Sequence, residues 1–370
     1  DAQGAQRHDD RRRGNCLAMS RPRDDRRRIL LLTEGRTTPL SAKTATGVIR
    51  YGRGRVVGLI DSIQAGQTAG ALLGVGGDIP VCASLSQAPE ADTLIIGIAP
   101  AGGALTRGMR GVIREAIGRG MHVESGMHYF LSDDEQFVRL AKRSGATLTD
   151  LRKNTERDVA RFEAFDSDCL RLHTVGNDSC VGKMLVSVEL ARGLAMAGCD
   201  TKFVATGQTG MMIEGDGCAV DSVVSDFVGG ATERLVLAAQ GHEAMVVEGQ
   251  GSLANPRYSG VTMGLLHGCL PDGLVLCYEA GRTEIVGLEP MLLPPLEQIM
   301  QTFHSVANLH HLCRFIGVAI NGRLLSDDAC LREKESVQKR LNLPAWDVVR
   351  EGIEGLVGEA LKLRRELGKT

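Results

Sequence analysis

Residues 172–184 read Leu-His-Thr-Val-Gly-Asn-Asp-Ser-Cys-Val-Gly-Lys-Met. An apolar, strand-like run ends in a glycine turn. The turn closes on Gly182-Lys183, and helical spacing follows at Leu185, Val188, Leu190 and Leu194. This is the layout of a phosphate-binding loop. Main-chain N–H groups at a helix start point at an anion, glycines let the chain approach it, and a lysine adds a full charge. Gly176, Asn177, Asp178, Val181, Gly182, Lys183 and Met184 are the expected seat for cofactor phosphates. Five residues separate Gly176 from Gly182, one more than in the common G-x4-G-K-[ST] pattern. Met184 stands where a hydroxyl usually ligates Mg²⁺.

Other residues could act beside that seat. Met245-Val246-Val247 is an apolar run ending in Glu248, 65 residues after Lys183. A carboxylate there suits a general base, or a Mg²⁺ ligand if the metal is used. Thr206 to Gly210 follows another apolar run, so the hydroxyl of Thr209 and the amide of Gln208 are candidates to bind substrate. His267 is a second candidate base, since its pKa lies near neutrality. Arg282, just past the strand-like Cys277-Tyr278-Glu279, can pair bidentately with a substrate carboxylate. Lys43, Thr44 and Arg50 gather near an early helix start and can frame an anion, and so can the small-residue loop at 99–103. Cys180 is read as loop packing.

These groups need a frame. The chain has 370 residues, 43% hydrophobic and only 4% aromatic, with 46 glycines, which suits α/β layers joined by tight turns. A net charge of −2 argues against a protein built to coat nucleic acid. No apolar run approaches membrane-spanning length. Ten scattered cysteines without zinc spacing read as reduced thiols, so a cytoplasmic location is expected. Nine arginines and five aspartates crowd into residues 1–28, which are expected to be a disordered tail, with Met19 a candidate start.

Strand–helix alternation then runs twice. Strands at 29–32, 56–60, 79–83, 94–98 and 121–123 alternate with helices at 43–51, 67–73, 107–119 and 133–144, a Rossmann-like first domain over 29–150. It lacks G-x-G-x-x-G after its first strand, so a dinucleotide there is not supported. Residues 151–168 read as a charged linker. In the second domain, 169–370, strands fall at 170–175, 202–205, 244–247, 273–277 and 314–320, and helices at 182–196, 221–240, 295–306, 328–341 and 351–367. The expected fold is α/β: a Rossmann-like parallel sheet followed by a P-loop NTPase-like domain.

Several segments in register resemble one family, the two-domain phosphate-loop proteins typified by D-glutamate N-acetyltransferase. They are Ile-Gly-Ile-Ala-Pro-Ala-Gly-Gly from Ile96, Ser-Gly-Met-His-Tyr-Phe-Leu-Ser-Asp-Asp from Ser125, and Phe-Val-Ala-Thr-Gly-Gln-Thr-Gly from Phe203. Further on come Val-Val-Glu-Gly-Gln-Gly-Ser-Leu from Val246, Tyr-Ser-Gly-Val-Thr-Met-Gly-Leu-Leu-His-Gly from Tyr258 and Cys-Tyr-Glu-Ala-Gly-Arg-Thr from Cys277. The family loop reads G-T-D-C-x-V-G-K-M-T; Asn177, Ser179 and Leu185 depart from it, while Met184 matches. The loop spacing also resembles the dethiobiotin synthetase type, in which an asparagine at the position of Asn321 reads the adenine edge.

The resemblance implies acetyl transfer from acetyl-CoA to a D-amino acid. Lys183 and the loop amides would then hold the coenzyme phosphates, Glu248 or His267 would serve as base, and Arg282 as carboxylate anchor. An ATP- and Mg-dependent ligase, with Glu248 on Mg²⁺ and Asn321 on adenine, and a non-catalytic nucleotide-binding regulator are the alternatives. The expected partners are a small acidic amino acid and further copies of the chain, not nucleic acid or membrane.

Overall fold

The computed structural model describes residues 24–99, 103–162 and 165–369. Most of the expected tail, including Met19, and positions 100–102 of the small-residue loop lie outside the described residues. The tail reading ends sooner than expected, because β1 spans Asp24–Leu32. The arginines before Ile29 join that strand: the Arg27 guanidinium reaches Glu124, and the Arg28 N–H donates to Asp92 Oδ2 at 2.8 Å. Paired carboxylates let this charged run join an inner strand.

The first sheet contains β1, β2 (Gly54–Ile60), β3 (Val81–Cys82), β4 (Thr93–Ile96), β5 (His122–Ser125) and β6 (Leu148–Asp150), in the order β3-β2-β1-β4-β5-β6, all parallel. Strand order reverses between β1 and β4, the arrangement of a Rossmann-like sheet. Its helices are α1 (Lys43–Tyr51), α2 (Ala69–Leu73), α3 (Arg107–Gly118) and α4 (Glu135–Ser144). Side-chain caps start the last two: Thr106 accepts from the Met109 N–H, and Asp134 from those of Gln136 and Phe137. The short β6 falls at 148–150, beside the stretch read as the start of the linker.

The second sheet holds β7 (Leu170–Gly176), β8 (Thr201–Val204), β9 (Ala244–Val247), β10 (Gly273–Glu279), β11 (Arg314–Asn321) and β12 (Ala345–Trp346), in the order β12-β11-β10-β7-β9-β8 and again parallel. Every residue of β7 and β10 is buried, including Arg171, His173 and Thr174 of β7, as central strands covered on both faces should be. The covering helices are α5 (Lys183–Met196), α6 (Gln208–Glu214), α7 (Val228–Ala239), α8 (Ser259–Cys269), α9 (Leu296–Ala307), α10 (Asp327–Leu341), α11 (Val348–Glu351) and α12 (Glu354–Glu366). The helix expected over 221–240 resolves into two 3₁₀ turns and α7. Among the described residues, no helix is long and apolar enough to cross a membrane.

The two sheets are interlocked. Tyr51 of α1 packs in the core of the second domain and Met212 of α6 in the core of the first. The Tyr51 hydroxyl donates to Glu189 Oε1 at 2.5 Å, and Arg53 Nη1 donates to the Glu214 carbonyl at 2.7 Å. The stretch read as a linker is also fastened down. Arg152 forms a salt bridge with Asp221 at 2.6 Å, and the Arg161 N–H donates to Glu233 at 2.7 Å.

Candidate active site

Parallel strands deliver their C-terminal ends to one edge, and there the two domains leave a cleft of about 440 Å³. One wall is α1, contributing Lys43, Gly47 and Arg50; the other is the loop from Ser179 to Leu185. The floor is Gly207 to Thr209 and Glu248 to Gly251, and Asn321 and Arg323 close one end. Three helices begin at this cleft, α1, α5 and α6, with Ala42, Gly182 and Gly207 at their caps and no side-chain cap bond on any of them. α3, α4 and α10 carry a capping Thr, Asp or Ser, whereas α7, α9 and α12, which do not line the cleft, start without one as well. Uncapped N–H groups beside a cavity are donors held for an anion.

The loop itself is tightly built. A Cβ on Gly176 would sit 2.8 Å from Val181 Cγ2 and 3.2 Å from Lys183 Nζ, so only glycine fits. Gly182 has φ 112° and Cys180 φ 66°, two left-handed residues that curl the chain into α5. Lys183 is 6% exposed, and its ammonium donates to the Asp178 carbonyl at 2.7 Å. Burial holds its pKa below the ordinary lysine value. No side-chain carboxylate pairs with Lys183 among the described residues, so its charge remains available to a ligand.

Gly176, Asn177, Asp178 and Val181 lie buried beneath the loop and do not line the cleft, in contrast to Gly182, Lys183 and Met184. Asp178 is structural. Its carboxylate accepts from the Ser179 N–H, from Asn255 Nδ2 at 2.8 Å, from the Val286 N–H at 2.9 Å and from Arg282 Nη1 at 3.0 Å.

That network corrects the expected role of Arg282. Its guanidinium does not line the cleft; it spans Asp178 and Glu279 and donates to the Ser179 carbonyl at 2.8 Å. With 8% of its side chain exposed, it braces the loop from below. Removing it leaves buried Asp178 without its cationic partner, while Glu279 keeps Arg323, so Arg282→Ala should lower stability by about 3–5 kcal/mol. Thermal unfolding reads this as a clear fall in Tm; a substrate anchor alone would change KM and leave Tm in place.

His267 is also displaced from its expected role. α8 runs back from the cleft edge toward the start of β10, so its C-terminal end lies at the opposite edge of the sheet. There His267 meets His310 edge-on at 5.5 Å, and burial together with that neighbour lowers its pKa. It does not line the cleft.

Glu248 does line the cleft, at 3% exposure. Its Oε2 accepts from the Thr206 and Gly207 N–H groups, each at 3.0 Å. Burial nevertheless dominates these two bonds and pushes its pKa up to about 7. A carboxyl near neutrality is suited to acid–base work. Gln208 and Thr209 also line the cleft, but on the first turn of α6 rather than in a loop. Thr209 Oγ1 lies 3.0 Å from Thr44 Oγ1 across the domain boundary. Asn321 sits at the end of β11, with Nδ2 3.4 Å from the Val181 carbonyl. Gln250, which the sequence reading did not single out, adds a carboxamide to the floor beside Glu248.

The donor set fits an anion better than a divalent metal. Met184, in place of the usual hydroxyl, sends its methyl within 3.2 Å of the Cβ position of Gly47. Glu248 is the one acidic residue among the cleft-lining residues, and one of its oxygens is already held. The hydroxyl that follows the loop lysine in Mg²⁺-binding loops is therefore missing here.

A P-loop domain described as DUF1611, of unknown function, matches residues 158–357, and its Rossmann-like N-terminal counterpart matches residues 62–154. The chain belongs to the DUF1611 family. A DUF1611 protein from Anabaena variabilis, known from a crystal structure, superposes with a TM-score of 0.85 at 32% identity, covering 91% of this chain and 99% of its own. Two relatives are named D-glutamate N-acetyltransferase. The one from Pseudoalteromonas sp. is 34% identical over 268 residues, 72% of this chain and 80% of its own length. The one from Tritonibacter scottomollicae is 32% identical over 320 residues, 86% of this chain and 93% of its own length. The two-domain DUF1611 architecture is thus the frame within which the cleft is to be understood.

Proposed function

We propose that this chain is an N-acetyltransferase that moves an acetyl group from acetyl-CoA to the amine of D-glutamate or a similar acidic D-amino acid. The observation that carries the reading is Glu248: a buried carboxyl with its pKa near 7 on the floor of a cleft whose other charged lining residues are cations. The names of the relatives fit this chemistry. The uncapped start of α5 and Lys183 hold the donor phosphates, which need no hydroxyl-ligated metal. Asn321, at the end of the cleft, faces the nucleoside portion.

The step balances as follows. The acceptor ammonium gives a proton to ionised Glu248, and the freed amine attacks the thioester carbonyl. A C–N bond forms, and the tetrahedral oxyanion is met by N–H donors of the floor, among them the Gln250 carboxamide. Collapse breaks the C–S bond, the nitrogen sheds one of its two protons to solvent and keeps the other as the amide N–H, and the coenzyme leaves as its thiol on taking the proton held by Glu248.

The test is to incubate the full chain with D-glutamate and acetyl-CoA and follow free thiol, then with ATP and Mg²⁺ and follow ADP. Thiol release that depends on D-glutamate is the expected result. ADP release without thiol release would overturn the reading in favour of a ligase.

A further inference from the structure

Among the charged residues of the cleft, Lys183 belongs to the phosphate loop, Arg323 is held by Glu279, and Glu248 is the base. Lys43 and Arg50 remain. Both stand on the same face of α1, with Thr46 and Gly47 between them at helical i, i+3, i+4, i+7 spacing, and all four line the cleft. Lys43 is half-buried and Arg50 is exposed beside the Tyr51 hydroxyl, and neither cation forms an ion pair with a described residue. Two cations without carboxylate partners on one wall of the cleft, beside the base on its floor, are placed to receive two negative charges.

The face is held in place rather than loose. A Cβ on Gly47 would lie 2.7 Å from Thr209 Cγ2, so α1 presses directly on α6. The Ala45 N–H donates to the Gly97 carbonyl at 2.9 Å, which fixes the first turn, and Tyr51 pins the last through Glu189. The spacing between the cations is therefore set by the helix: two turns, about 10 Å along its axis. Both side chains are long and can lean toward each other, so a short aliphatic dicarboxylate can bridge them.

We infer that this face of α1 is the acceptor-recognition surface, with Lys43 and Arg50 each taking one carboxylate of a dicarboxylic amino acid and holding its amine toward Glu248. The inference rests on the acetyltransferase reading and deepens it: the Rossmann-like domain selects the acceptor while the P-loop domain holds the donor. The donor phosphates already have the loop. The reactant that brings two carboxylates and an amine is the acidic amino acid. Recognition of the second carboxylate by Arg50 separates glutamate from its amide and from monocarboxylic amino acids, because an unmatched cation facing a neutral side chain gains nothing.

The test is calorimetric titration of the full chain with D-glutamate, D-glutamine and coenzyme A, on wild type, Lys43→Ala, Arg50→Ala and Arg50→Lys, with thermal unfolding as a check on folding. Arg50→Ala should weaken D-glutamate at least tenfold and bring its affinity close to that of D-glutamine. Arg50→Lys should restore most of the loss, and coenzyme A should bind all four chains alike. If Arg50→Ala or Lys43→Ala weakens coenzyme A instead, or leaves D-glutamate unchanged, the assignment of α1 is wrong even where wild type acetylates D-glutamate. If wild type binds coenzyme A but neither binds nor acetylates a dicarboxylic amine, the acetyltransferase reading falls and this inference with it.

Discussion

Glu248→Gln should fold normally and lose about 10²- to 10⁴-fold in kcat, the usual contribution of a positioned base. The side-chain change keeps size and one acceptor oxygen for the Thr206 and Gly207 N–H groups, so the floor is preserved. The pH dependence makes the test sharper. Only the ionised carboxylate can accept a proton, and burial holds its pKa at about 7. Wild-type kcat should rise with pH through that value and then level, and the variant should lack this limb. Stability moves in the opposite sense. A carboxyl whose folded pKa is raised above 4.5 binds its proton more tightly in the native state, so its stabilising effect is full below 4.5 and fades as pH rises through about 7. Denaturation midpoints measured across that window should fall in wild type more than in Glu248→Gln. A variant with an unchanged kcat profile would remove Glu248 from the chemistry.

Lys183→Ala should weaken acetyl-CoA by about 1.5–3 kcal/mol, the value of one charge-assisted contact, or roughly 10- to 150-fold in Kd. The loss should be specific to phosphate. Acetyl-pantetheine, which carries the thioester and no phosphate, should bind wild type and variant equally. Equal losses for both donors would mean that the lysine shapes the cleft without holding phosphate. Lys183 supports the loop through one hydrogen bond to the Asp178 carbonyl, while Asp178 is secured independently by Arg282, Asn255 and Val286. The variant should therefore keep its Tm near the wild-type value.

Sequence patterning made β7, the loop and α5 legible, because a strand-like run, two required glycines and a helical run coincide within one short stretch. Glu248 was legible as a strand-end acid. Its raised pKa was not, since burial sets it against the two N–H groups that come from the exit of β8, a strand distant in sequence. α6 was missed because Gly207 to Gly210 reads as a turn; the helix forms because Met212 and Ile213 find buried places in the two domain cores. α8 was missed for want of a polar face, and with it the direction of the helix that carries His267 away from the cleft. For Arg282, spacing located the correct edge of the sheet, while the choice between facing the cleft and bracing the loop was made by the partners Asp178 and Glu279.

The thin floor at Gly249 carries a consequence for the shape of the donor. A Cβ there would lie 2.9 Å from Lys183 Cδ and would overlap the Thr174 carbonyl, so the lysine stem and the strand bearing Glu248 are packed side by side. The pantetheine arm of coenzyme A is far longer than that separation. A molecule anchored by its diphosphate at the loop and reacting over Glu248 must double back like a hairpin within the cleft. Arm length then acts as a ruler, and donors with a shortened arm should bind through their phosphates yet fail to present the acetyl group.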